Sequence, residues 1–272
     1  MTFTAPVVVE HYAALNYLTP CEQLLFNTYL SPGMAILDLG VGGGRTTPYL
    51  SSIAGRYVGA DYSQEMVAAC RRKFAQLEFQ TADAADLSRF ASSSFDAVVM
   101  AFNVLDNLNP VESRLAALRE THRVLKQQGV LICSSHNARS VLVRPSWNPR
   151  RVAALAQAIV GNGSVFYEPV RIMLTGMRVG LALLQSLWKS VRRATGNVTT
   201  RVFWRGQGYL MDPAHGGLLT YYAVPGRIVQ EVEPIGFRPL RILGDDYPRV
   251  SHVYATDWYY YVFSKQEEVG QK

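Results

Sequence analysis

Between residues 38 and 45 the chain reads Asp-Leu-Gly-Val-Gly-Gly-Gly-Arg, an acid closing an apolar run and then glycines at 40, 42, 43 and 44. A strand that passes through glycines into a helix turns backbone N–H groups toward a ligand with no side chains in the way. Asp61 follows the next apolar run, 21 residues after Gly40. A carboxylate there can accept both hydroxyls of a ribose diol. The chemistry these positions suit is the grip on a nucleotide-like cofactor.

Two residues narrow the choice. A dinucleotide turn wants Gly or Ala at the last position of G-x-G-x-x-G, and counting from Gly40 that place is Arg45. Asp38 would repel a pyrophosphate and attract an ammonium or sulfonium. No G-x-x-x-x-G-K-[ST] occurs, which excludes a P-loop. The cofactor implied is cationic and lacks phosphate: S-adenosylmethionine.

The elements that must hold these residues alternate strand and helix, the grammar of a parallel sheet wrapped by helices. Apolar runs at 34–39, 57–60, 95–101 and 130–135 read as strands, with helices at 45–53 and 63–74, the second capped by Ser63. A further helix has Asn109 as cap and Pro110 at its first position, with Val111, Leu115, Leu118, His122 and Leu125 facing inward and Gly129 ending it. After residue 138 the rhythm breaks. Residues 150–160 and 170–191 read as helices, the longer one amphipathic and flanked by basic residues; from about Leu218 the alternation resumes with a helix at 223–232 and strands at 237–243 and 258–263.

Residues 34–135 and 218–264 resemble class I S-adenosylmethionine-dependent methyltransferases. The D-x-G-x-G-x-G motif appears as Asp38, Gly40, Gly42 and Gly44. The acid and hydroxyl after strand two appear as Asp61 and Ser63 in GADYSQEM, which also carries Tyr62 and Met66. The acid after strand three appears as Asp83, followed by Ala84, in TADAADL, and the stretch after strand four as FNVLDNL with Phe102 and Asn103. The resemblance implies cofactor contacts from these residues. It also implies an α/β fold: a doubly wound, seven-stranded, mostly parallel sheet with its last strand antiparallel. FNVLDNL, the SSHN after strand five and HGGLLTYY look like methyltransferases of glycan or secondary-metabolite assembly.

In such sheets the ligand lies beyond the carboxyl ends of the strands. His136 follows strand five there and is read as a general base, against a loop histidine bonded to nearby backbone. His215, in a tight turn between Asp212-Pro213 and Gly216-Gly217, is the second candidate base, against a turn-forming surface residue. Acceptor contacts are expected from Tyr12, Asp106, Asn107, Tyr221 and Tyr222. Asp106 and Asn107 could instead cap a turn, and Tyr221 and Tyr222 could divide between core and pocket. His122 is read as structural and Cys133 as core.

The chain has 272 residues, 49% hydrophobic and 18% charged, with a formal net charge of +6. That is an ordinary globular composition with no apolar run near the ~18 residues of a membrane span. Three cysteines without ligand-like spacing argue against a disulfide framework or a zinc site, so no metal and a reducing cytoplasm are expected. Residues 139–213 hold eleven basic residues against two acids. The domain reading is therefore a methyltransferase unit over 1–138 and 214–272, with a helical, basic insertion at 139–213 after strand five as an acceptor cap. The activity expected is O-methylation of a hydroxyl on a small-molecule or glycan-like acceptor. The alternatives are a lipid or quinone methylase docked on a membrane through the basic helix, and a non-catalytic scaffold that only binds the cofactor. A nucleic-acid partner is disfavoured, because the basic residues lack interleaved aromatic platforms.

Overall fold

A computed structural model describes residues 6–142, 197–212, 218–254 and 256–266. The chain runs α1 (Pro6–Ala14), α2 (Pro20–Tyr29), β1 (Ala35–Leu39), α3 (Thr47–Ile53), β2 (Arg56–Asp61), α4 (Gln64–Lys73), β3 (Glu78–Thr81) and β4 (Phe95–Met100). It continues through a short 3-10 turn (Val104–Asn107), α5 (Val111–Val124), β5 (Leu125–His136), α6 (Asn197–Arg205), β6 (Gln207–Asp212), β7 (Leu218–Ala223), α7 (Pro225–Val232), β8 (Phe237–Gly244) and β9 (Trp258–Lys265).

β1 and β4 are continuous apolar runs because both their faces are covered. Ile36, Ala97, Val99 and Ile132 pack with Leu25, Phe26 and Val67 on one side of the sheet. Leu37, Leu39, Val98 and Met100 pack with Ala117, Leu118 and Ile228 on the other. β3, β2, β1, β4 and β5 pair in parallel in that order, and β9 pairs antiparallel to β5 with β8 beyond it. This is the expected seven-stranded core with its last strand antiparallel.

Two more strands extend it. β6 and β7 form an antiparallel pair, and β7 meets β5 at one position, His136 opposite Tyr222. His136 is also opposite Trp258 of β9, so β7 occupies the edge of β5 that β4 leaves vacant beyond Cys133. The tip of β5 is thus enclosed on both edges. Residues 197–212, expected within the helical insertion, are a helix and a sheet strand. The remaining expected insertion helices, over 150–160 and 170–191, lie outside the described residues, as does His215.

The helix α5 departs from expectation. Pro110 rather than Asn109 occupies its cap, and the Asn109 amide donates to the Leu219 carbonyl. Its buried face is Arg114, Ala117, Leu118, Thr121 and Val124, while Val111 is exposed. The helix can turn a cation inward because Arg114 pairs with Glu231 at 2.5 Å and stacks on the Tyr221 ring. A paired charge on an aromatic face escapes most of the cost of burial. The helix expected from Ala223 begins at Pro225, since β7 runs through Ala223.

Candidate functional site

The glycine loop follows β1. Gly40, Gly42 and Gly44 all have positive φ (+76°, +54° and +80°), a region costly for other residues. A Cβ on Gly40 would come within 2.5 Å of Val104 and one on Gly44 within 2.6 Å of Phe74. Gly42 differs: a Cβ there would meet the Tyr12 ring at 3.8 Å, an ordinary contact, so of the three it is the least tightly packed. Its N–H donates to Asp61 Oδ2 at 2.8 Å, and the Ser63 N–H donates to Asp61 Oδ1 at 2.9 Å. Burial raises the Asp61 carboxyl above its ordinary value, opposed by these two bonds. Each oxygen keeps lone-pair capacity for a further donor.

Beyond Asp61 opens a cleft of about 630 Å³ lined by Tyr62, Ser63, Thr81, Ala82 and Asp83 among others. The Tyr62 ring is 75% exposed at it. Ser63 Oγ accepts the Met66 N–H at 3.2 Å and so caps α4. Met66 and Ala84 are buried, Met66 beneath α1 with Val9 and Ala69. The end of α1 lies on the glycine loop, for a Cβ on Gly43 would meet the Tyr12 carbonyl carbon at 2.3 Å. Tyr12, expected at the acceptor, therefore sits against the cofactor loop.

Asp38 ends β1 just before the glycine loop. It is 1% exposed, and its Oδ2 accepts from Thr46 Oγ1 at 2.7 Å and Tyr57 OH at 3.0 Å. Burial pushes its carboxyl up to about 6, against the bonds from Thr46 and Tyr57. It thereby ties Thr46, just after the glycine loop, to Tyr57 of β2. Arg45 is likewise buried. Its guanidinium makes a two-pronged pair with Glu22 (2.5 and 2.7 Å), donates to the Tyr17 carbonyl at 2.8 Å, and lies 4.3 Å from the Phe102 ring centroid. Glu22 is held in turn by the Thr19 capping box at the start of α2. Thr19-Pro-Cys-Glu22 carried that signal in the sequence; its pairing with Arg45 did not show there.

Phe102 and Asn103, expected as cofactor contacts, follow β4 with φ of +60° and +62°. Asparagine tolerates that region; phenylalanine there is strained. The Asn103 N–H is pinned by Ser134 Oγ at 2.8 Å, and its carbonyl accepts from the Asp106 N–H and the Asn107 side chain. Asp106 is fully buried and faces back to β5. Its Oδ1 accepts from Ser135 Oγ at 2.7 Å, and its Oδ2 from both the His136 N–H and His136 Nδ1, each at 2.7 Å. Burial raises the Asp106 carboxyl and the His136 bonds oppose it. Three donors converge on this carboxylate when the His136 proton is on Nδ1; Nε2 then lies 3.2 Å from Asn103 Nδ2, which can donate to it when the ring is neutral.

Three rings surround the imidazole and its neighbours. Tyr222 lies 5.0 Å and Trp258 6.4 Å from it between centroids, and Phe102 is 6.3 Å from Trp258. β-strand alternation sends Tyr221 the other way, into the core, where its OH donates to Glu231. Of the five expected acceptor residues, Tyr222 alone adjoins His136 from outside. Asp106 orients the histidine, Asn107 holds the turn, Tyr12 serves the loop and Tyr221 is core. Among the described residues no cluster of three or more His, Cys, Asp or Glu side chains could hold a metal. No described helix is long and apolar enough to cross a membrane.

Residues 37–133 match the model of a family described as a methyltransferase domain. A demethylmenaquinone methyltransferase of Beutenbergia cavernae is 30% identical over 182 residues, spanning 61% of this chain and 71% of that protein. The chain belongs to the class I S-adenosylmethionine-dependent methyltransferases.

A ubiquinone biosynthesis O-methyltransferase of Xanthomonas campestris is 28% identical over 134 residues, 48% of this chain and 49% of that protein. The chain spans about half the length of several curated relatives it matches. An S-adenosylmethionine-dependent methyltransferase of Mesorhizobium loti shares the fold, with a TM-score of 0.58 and 14% identity over 94% of this chain and 100% of that one. In this methyltransferase the donor set fits S-adenosylmethionine. Asp61 has two half-used oxygens at the end of β2 beside the glycine loop, and the adjoining cleft carries the exposed Tyr62.

Proposed function

We propose that this methyltransferase moves the methyl group of S-adenosylmethionine onto a hydroxyl of a small, flat-ringed acceptor of the quinol class. The observation that carries the reading is the His136–Asp106 pair, its Nε2 beside the Asn103 amide and its ring in the company of Tyr222 and Trp258, with Phe102 next to Trp258. The relatives named above bear quinone names, and the glycan-like acceptor draws no support from them.

Bound S-adenosylmethionine supplies a methyl carbon already activated by its sulfonium. Asp61 would take the ribose diol, Tyr62, Asp83 and Ala84 would flank the adenine, and the Gly40–Gly44 loop would approach the methionine end. Phe102 and Asn103 follow β4, with the Asn103 amide against His136. A ring hydroxyl is a weak nucleophile at neutral pH, so removing its proton is what the protein must supply. Nε2 of His136 accepts that proton, and Asp106 stabilises the imidazolium that results. The aromatic side chains hold a flat ring and keep water out.

The test is methyl transfer from labelled S-adenosylmethionine to a reduced naphthoquinone and to catechol. Ether-linked label from the native chain, lost in His136→Ala, is the expected result. Label on a ring carbon, or undiminished transfer by His136→Ala, would contradict the reading.

A further inference from the structure

Asn103 is 7% exposed, and its amide has one hydrogen bond, from Nδ2 to His136 Nε2 at 3.2 Å. Its Oδ1 is buried without a partner. Its backbone is fixed by Ser134, Asp106 and Asn107, so the amide can swing about its own side-chain bonds while the loop stays in place. Such a swing breaks a single hydrogen bond. A buried amide with one half satisfied is the arrangement expected of a group that completes its bonding when a ligand arrives.

The position of that amide matters. It covers the lone pair that a general base must present, so an acceptor hydroxyl can reach Nε2 only by coming between the two residues. There the hydroxyl donates its proton to Nε2, and its oxygen lies within reach of the Nδ2–H that has just been displaced.

We propose that Asn103 is a further catalytic residue, whose amide N–H caps His136 Nε2 while the acceptor is absent and then moves onto the acceptor oxygen. The inference rests on His136 being the base. As the hydroxyl proton passes to Nε2, the oxygen gains negative charge and the Asn103 N–H stabilises it. The oxygen lone pair then forms the bond to the methyl carbon, and the carbon–sulfur bond breaks with its electron pair left on sulfur. A donor already placed where charge develops is among the strongest contributions a protein makes to such a step.

The groups facing the imidazole are Asp106 from the 3-10 turn, Asn103, Tyr222 from β7 and Trp258 from β9. Around Asp106 stand Cys133, Tyr209 and Tyr261, which burial keeps neutral. Asp106 is therefore the charge that the ring meets among the described residues.

Two variants suit the test, because glycine and aspartate both tolerate the left-handed backbone at this position. In the ligand-free protein, ¹⁵N NMR of His136 should show the proton on Nδ1 and a hydrogen-bonded Nε2. Asn103→Gly should keep the proton on Nδ1 and lose the Nε2 bond. Asn103→Asp should likewise change the Nε2 signal, because a carboxylate then faces it in place of the amide donor. A proton on Nε2 in the native chain, or an unchanged Nε2 signal in Asn103→Gly, would overturn the cap. In turnover, Asn103→Gly should lower kcat on the order of 10²-fold with acceptor KM changed far less, and an unchanged kcat would overturn the donor role. If His136→Ala is active while the NMR results hold, the cap stands and it is the base assignment that fails.

Discussion

The two ends of the site are built differently. The cofactor end is locked: glycines packed against Val104 and Phe74, Asp61 tied to two backbone N–H groups, and Arg45 clamped between Glu22, Tyr17 and Phe102. The other end, proposed for the acceptor, holds a histidine nitrogen covered by an amide whose oxygen has no partner, and a strained phenylalanine beside it. The ligand of the first must be held the same way in every cycle. The second must let an acceptor displace something and let a proton move. A fold can supply both when rigid strand ends carry a short, tense turn between them.

Changes at the acceptor end should strike turnover and spare affinity for the cofactor. His136→Ala is expected to lower kcat by about 10³-fold while S-adenosylhomocysteine, titrated calorimetrically, still binds as to the native chain. Asp106→Asn should follow the same pattern, because an amide cannot stabilise the imidazolium as a carboxylate does. A large loss of cofactor affinity in either would erase the distinction between the two ends.

At the cofactor end the effects should appear in stability and binding. Glu22→Gln leaves the Arg45 cation buried without its partner and should destabilise the fold by about 3 kcal/mol, read by urea unfolding. Asp61→Asn should weaken S-adenosylhomocysteine by about 2 kcal/mol, since it turns one acceptor of the diol into a donor. If that variant bound normally, the ribose would have to sit elsewhere.

Asp38→Asn should separate stability from binding. The folded-state carboxyl is pushed up to about 6 from an ordinary 3.8, so its buried charge destabilises the fold at neutral pH. That penalty fades as the pH falls through 6 toward 4. The variant should therefore be more stable than the native chain at pH 7.5 by about 2 kcal/mol and no more stable at pH 4. The smallest effect is expected from Tyr221→Phe, which loses its bond to Glu231 and should cost about 1 kcal/mol of stability with kcat unchanged.

How much could be read in advance follows the same division. The glycine loop, Asp61, Ser63 and the cleft residues lie within about 50 consecutive positions, on strand–turn–helix units whose local signals suffice to place them. The surroundings of His136 are assembled from the 3-10 turn, the tip of β5, β7 and β9, so His136 could be singled out while its partner could not. Asp106 looked like an acceptor contact because nothing local reveals that the end of β5 folds back over it. Asp38 and Arg45 were noticed for their chemistry, yet both are buried on partners of their own. In α5 the apolar stripe placed Leu115, Leu118 and Leu125 against the core but missed Arg114, because Glu231 and Tyr221, distant in sequence, make an inward arginine tolerable.

The most direct measurement is the rate of methyl transfer by His136→Ala at saturating S-adenosylmethionine, with a reduced quinone as acceptor. A fall of about 10³-fold in kcat with unchanged cofactor affinity is the outcome that the His136–Asp106 pair predicts. A rate near that of the native chain would place the base elsewhere and contradict the account.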